Sequence, residues 1–141
     1  MAHQLSVLVE NKPGRIARIT EILGEAGINI RAITISCAGN FGLVKLIVDQ
    51  PEKGKEVLKE KGFSASLQRV LALVMEDRPG SLARALKSVA EKGLNVRDAC
   101  GFIEASGERA ILVLEVEDYE KARTLVEASG IPFYAEELYR I

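Results

Sequence analysis

Two short stretches carry polar groups at a spacing that suits recognition of a small zwitterion. In the first, Asn11 precedes a Pro13-Gly14 step followed by Arg15 and Ile16. In the second, Asp77 precedes Pro79-Gly80, followed by Ser81 and Leu82. Glycine after proline lets the backbone turn without a Cβ clash and lets a ligand approach closely. A helix starting there leaves the amides of Gly14, Arg15 and Ile16 unpaired at its positive end, which is a seat for a carboxylate. Gly80, Ser81 and Leu82 repeat the arrangement. The side-chain carbonyl of Asn11 can accept a hydrogen bond from an ammonium. A carboxylate at Asp77 would hold an ammonium more strongly, yet repel the ligand's own carboxylate. Asn29 and Asn95 stand at the far ends of the two helices. An Asx-x-Pro-Gly run is also what a plain strand-to-helix turn looks like, and Asn after Gly suits a helix stop. The residues alone leave both readings open.

Other chemistry finds little support. His3 is the one histidine and lies near the amino terminus, where a metal site or histidine-based catalysis is not expected. Cys37 and Cys100 form no Cys-x-x-Cys pair and are expected to be buried free thiols in a reducing cytoplasm. Glu115, Glu117, Asp118 and Glu120 crowd one segment, which reads as a solvated strand-to-helix edge. Gly-rich phosphate signatures are absent, and no cofactor is expected. A net charge of −1 gives no reason to expect nucleic acid or an anionic membrane as partner. No apolar run approaches the ~20 residues that span a bilayer, and the first residues show no export leader.

The elements that must position these loops are spelled twice. Across positions 9–31, nine of 23 residues recur 66 positions later: Glu10, Pro13, Gly14, Ala17, Arg18, Glu25, Gly27, Asn29 and Arg31. Chance would give roughly one to three such matches, so the chain is an internal duplication. In the first copy Leu5 to Val9 reads as a strand, and Arg15 to Ala26 as a helix stopped at Gly27. Ile28 to Cys37 and Leu43 to Val48 pair across Ala38–Gly42. Pro51 opens a second helix, which stops at Gly62, and Phe63 to Leu67 is a short last strand.

The second copy has strands at Val70–Glu76, Val96–Ala105, Ala110–Val116 and Pro132–Leu138, with helices at Ser81–Lys92 and Tyr119–Ser129. Leu82, Ala85, Leu86 and Val89 are expected to face inward. From its second strand onward the offset becomes 68, which points to a two-residue insertion near Cys100-Gly101. The expected fold class is α+β: two ferredoxin-like βαββαβ repeats with antiparallel sheets, 1–68 and 69–141, packed closely together. RNA-recognition domains share this order but stack bases on aromatics of their central strands; Leu43 to Val48 and Ala110 to Val116 hold none. Each half, at about 70 residues, is only marginally stable alone. Val70 to Met75 is apolar on both faces and expects cover on both, which predicts at least an intimate two-repeat unit and, beyond that, a homodimer.

The run from Val9 through Pro13-Gly14-Arg15-Ile16 to Gly27-Ile28-Asn29-Ile30 resembles the opening of an ACT domain, as does Met75 to Val96. With two βαββαβ units, nearly the whole chain is similar to a stand-alone tandem ACT protein. The resemblance implies a non-catalytic regulatory module that binds a small ligand, usually an amino acid, at the interface between ACT units. In the serine-sensing type a His two residues before the loop Asn, that Asn, and the Asn after the first helix touch the effector. By position these are Val9, Asn11 and Asn29, then Met75, Asp77 and Asn95. Val9 and Met75 depart from His, and Asp77 from Asn, so the two sites are expected to be unequal or only one used. The implied partner is a separately encoded enzyme or regulator of amino-acid metabolism, in the cytoplasm. The alternative is a ligand-independent interaction or assembly module.

Overall fold

A computed structural model describes residues 2–141. Strand β1 (Ala2–Glu10) leads through the first Pro-Gly corner into helix α1 (Arg15–Glu25). Strands β2 (Ile30–Ala38) and β3 (Phe41–Val48) follow, then helix α2 (Pro51–Glu60). Strand β4 (Ser64–Glu76) carries the chain to the second corner and helix α3 (Ser81–Glu91). Strands β5 (Val96–Ala105) and β6 (Arg109–Val116), helix α4 (Tyr119–Ser129) and the two-residue strand β7 (Phe133–Tyr134) complete the order, before a 3₁₀ turn at Glu136–Arg140.

The chain divides into two compact units: residues 3–68 with 139–141, and residue 2 with 69–138. In the first unit β3 lies between β1 and β2, antiparallel to both, with Leu5 opposite Leu46 and Ile35 opposite Val44. In the second, β6 lies between β4 and β5, and β7 pairs with the other edge of β4. The latter order, β5-β6-β4-β7, is that of a split βαβ sheet. The first unit buries Leu5, Val7, Ile19, Leu23, Leu46 and Leu58 in one core. The second buries Leu71, Leu73, Val89, Leu112, Leu114 and Val126 in another. Gly54 permits the approach of α2: a Cβ there would stand 3.2 Å from a Leu5 methyl.

Several sequence expectations are corrected. The strands expected at Phe63–Leu67 and Val70–Glu76 are one 13-residue strand; nothing in Gln68-Arg69 breaks an extended backbone. The strand expected at Pro132–Leu138 stops after Tyr134. The Ala135 amide donates to the Glu137 carboxylate at 2.8 Å, and the Leu138 amide to the Ala135 carbonyl at 3.3 Å, so the backbone turns there. Residues 139–141 then join the first unit, not the second as the 69–141 boundary expected. The backbone amide of His3 donates to the Tyr139 hydroxyl at 2.8 Å, and Arg31 Nε donates to the Tyr139 carbonyl at 3.1 Å. His3 is therefore a strand residue and not part of a loose terminus.

The two-residue insertion is also elsewhere than expected. The 66-residue offset persists along β5 as far as Ile103, which faces Ala110 as Cys37 faces Gly42. One extra residue, Glu104, sits in a register shift between Ile103 and Ala105. The other lengthens the turn, from Gly39-Asn40 to Ser106-Gly107-Glu108. On α3, Leu82 and Leu86 are 48% and 37% exposed instead of facing inward; helical period fixes which residues share a face, not whether anything covers it. Cys37 is exposed and Cys100 half-buried, because β2 and β5 are outer strands whose side chains receive little cover.

Candidate functional site

Each Pro-Gly corner is built by one glycine. Gly14 and Gly80 both stand at φ 86 as the residue before the helix, a left-handed conformation that costs side-chain-bearing residues energy. Neither helix receives a side-chain cap. The expectation of three unpaired amides needs revision, because the turn itself uses one. Arg15 N donates to the Lys12 carbonyl at 3.3 Å, and Ser81 N to the Arg78 carbonyl at 3.1 Å. The first helical bonds are Arg18 N to Gly14 O at 2.9 Å and Arg84 N to Gly80 O at 3.0 Å. The amides of Ile16, Ala17, Leu82 and Ala83 precede those bonds and remain as first-turn donors. Pro13 and Pro79 are exposed, and Ile16 is half-buried against the first core.

Asn11 and Asp77 brace the neighbouring hairpin turns with opposite polarity. Asn11 Nδ2 donates to the Gly39 carbonyl at 3.3 Å, and Asn11 N to the Asn40 carbonyl at 2.8 Å. The Asp77 carboxylate instead accepts from the Gly107 amide at 2.7 Å, while Asp77 N donates to the Glu108 carbonyl at 3.1 Å. Asn29 and Asn95 lie at the other end of each sheet. Asn29 N donates to the Asp49 carboxylate at 2.9 Å, and Asn95 Nδ2 to Glu117 at 3.3 Å. The whole of β3 separates Asn11 from Asn29, roughly 25 Å at the usual strand rise. Within one unit the structure does not bring them together, nor Asp77 with Asn95.

What does gather at each corner is a cavity. The first, about 280 Å³, is lined by Leu8, Val9, Glu10, Arg15, Phe41 and residues 61–64. The second, about 380 Å³, is lined by residues 73–76 of β4, by Ser81, Arg84, Ala85 and Ser88 of α3, and by Ile131. Shifted by the repeat offsets, Val9, Glu10, Arg15 and Phe63 fall on Met75, Glu76, Ser81 and Ile131, so these are two versions of one hollow. Val9 and Met75 make apolar walls. Lys12 donates to Glu10 at 2.8 Å and, with the Arg15 charge, holds that carboxyl below its usual range. Among the lining residues missed from the sequence are Lys61, Phe63, Arg84, Ala85, Ser88 and Ile131. Aligning the copies over α1 and α3 exposes the signal for three of them: Arg18, Ile19 and Ile22 against Arg84, Ala85 and Ser88.

Glu104, the inserted residue, accepts from the Tyr134 hydroxyl at 3.0 Å and from Arg109 Nε at 3.0 Å. Burial and this hydrogen bond push the Tyr134 phenol up. Among the described residues no group of three or more His, Cys, Asp or Glu side chains could hold a metal ion. No helix among the described residues is long and apolar enough to cross a membrane.

Comparison with known proteins bears on this geometry. The family described as the ACT domain pair matches residues 1–140. The acetolactate synthase small subunit of Mycolicibacterium smegmatis is 26% identical over 144 residues, covering 99% of this chain and 79% of that one. A probable acetolactate synthase small subunit from Archaeoglobus fulgidus is 29% identical over 93 residues, spanning 56% of this chain and 58% of its own. Among solved structures, protein BT0572 from Bacteroides thetaiotaomicron superposes with a TM-score of 0.91 at 28% identity, covering 99% of this chain and 96% of that one. The ligand-free regulatory subunit of aspartate kinase from Thermus thermophilus gives a TM-score of 0.64 at 21% identity, covering 91% and 92%, a likeness of fold.

Proposed function

Since the chain belongs to the ACT domain pair family, we propose that it is a non-catalytic regulator that binds an amino acid. Through that binding it reports to a separately encoded enzyme of amino-acid metabolism in the cytoplasm. The observation that carries this reading is the doubled corner: the first-turn amides of Ile16 and Ala17, and of Leu82 and Ala83, left as donors, each pair beside an Asx side chain fixed on a hairpin turn. The amides suit a carboxylate, and the oxygen of Asn11 or Asp77 suits an ammonium. The family likeness to acetolactate synthase small subunits supports a partner enzyme.

Because Asn11 and Asn29 stand at opposite ends of one sheet, a ligand touching both takes them from two copies of the chain. This reading therefore includes a homodimer. Ligand binding then biases the arrangement that binds it better. Asp77 in place of Asn makes the second corner the weaker seat for a zwitterion's carboxylate.

The test is a thermal-shift screen of the twenty amino acids at about 5 mM. At least one is expected to raise Tm, and Asn11→Ala or Asp77→Ala to weaken the response. A flat screen with intact dimer would sink the proposal. It would favour the second reading, an assembly module acting without ligand. The exposed Ile33, Ile35 and Phe41 on β2 and β3 support that alternative.

A further inference from the structure

The two versions of the corner cavity differ because the helices beneath them differ. In α1, Ile19 and Ile22 fill the space and are 0% and 3% exposed. In α3 the same positions hold Ala85 and Ser88, which line the larger hollow. Leu73 and Met75 from β4, with Ile131, give that hollow an apolar floor. The hollow opens to solvent, and an apolar guest seated in it would take the half-exposed surface of Met75 and Ala85 out of water.

The charge at its rim differs as well. In α1, Arg18 is neutralised by Glu21 at 3.0 Å. Glu21 aligns with Lys87, and Arg84 has no carboxylate partner among the described residues. Its guanidinium folds back over the helix start and donates to Ser81 Oγ at 3.0 Å; Ser81 is 7% exposed. Glu76, the one acid lining the cavity, is drawn toward Arg78 at 3.6 Å. An apolar hollow with an unneutralised guanidinium at its rim complements an aliphatic chain bearing a carboxylate. We propose that this open cavity, lined wholly by residues of the second unit, binds a short aliphatic carboxylate, with its chain against Leu73, Met75, Ala85 and Ile131 and its carboxylate on Arg84. The site shares Ser81 and Met75 with the second Pro-Gly corner but needs neither Asn11 nor Asp77, so it stands apart from the amino-acid reading.

The test titrates the full chain with pentanoate, and separately with uncharged pentanamide, while following side-chain methyl resonances by NMR. Pentanoate is expected to saturate shifts of Leu73, Met75, Ala85 and Ile131, with pentanamide at least about tenfold weaker. The double variant Ala85→Ile, Ser88→Ile, which copies the first unit's packing, should weaken binding by about tenfold or more. Arg84→Gln should do the same, and it decides the matter if the double variant fails to fold. Asn11→Ala should leave pentanoate binding unchanged while weakening any amino-acid response. No saturation up to about 20 mM, equal affinity for pentanamide, or wild-type affinity in Arg84→Gln would overturn the proposal.

Discussion

The Asp77 carboxylate accepts the Gly107 amide at 2.7 Å, at the place where, one repeat earlier, the Asn11 amide donates to the Gly39 carbonyl. The two corners thus solve one mechanical problem with reversed polarity. The longer Ser106-Gly107-Glu108 turn presents a donor where the Gly39-Asn40 turn presents an acceptor. Asp77→Ala should cost about 0.5–1.5 kcal/mol by leaving that turn amide without its acceptor. Asn11→Ala should cost less, since its bond is longer and its turn is tighter. Denaturant melts of the two variants check the order.

Gly14 and Gly80 share φ 86, so alanine at either should cost about 1–2 kcal/mol from backbone strain alone. Their surroundings separate them. A Cβ on Gly14 meets nothing within 4 Å, whereas one on Gly80 would stand 3.1 Å from Arg84 Nη1. Gly80→Ala should therefore also move the guanidinium. A larger shift of the Arg84 side-chain signals than of the Arg18 signals in Gly14→Ala would show it.

Stability should fall on the alkaline side. Burial raises the Cys100 thiol above its ordinary 9.0, with the Asp98 charge adding to the effect. Burial likewise raises the Tyr119 and Tyr134 phenols above 10.0. Each group releases its proton from the unfolded chain first, so the folded state loses ground once pH rises past those ordinary values. Tm should decline from about pH 9 upward, and the decline should be shallower in a variant carrying Cys100→Ala and Tyr134→Phe.

The two thiols should differ in reactivity. Cys37 is exposed, while Cys100 is half-buried and its thiolate is disfavoured. Iodoacetamide should label Cys37 several-fold faster near neutral pH, as peptide mass spectrometry would read. Equal rates would contradict the burial described for β5.

Much of this architecture is written locally. The Pro-Gly steps, the glycine stops and the proline opening α2 fix where elements begin and end; Tyr119–Ser129 and Val96–Ala105 coincide with the elements found. Less legible was whatever depends on a neighbour distant in sequence. Leu82 and Leu86 have the spacing of a buried face, and only packing reveals that they are uncovered. Glu104 is hidden as an insertion because Cys100-Gly101, where the copies cease to look alike, is not where the register changes; strand pairing alone reveals it. The second hollow follows from Ala85 and Ser88 standing where Ile19 and Ile22 stand. Small residues in an amphipathic helix look harmless until their larger counterparts are seen at the same positions.

The hydrogen bonds from His3 and Arg31 to Tyr139 bear on the order of synthesis. A ribosome makes the first repeat early, yet that unit lacks these bonds until residue 139 has emerged. Strand β1 therefore goes without its tie at His3 while the whole second repeat is translated. The repeat made first thus gains its last hydrogen bonds from the final residues to emerge.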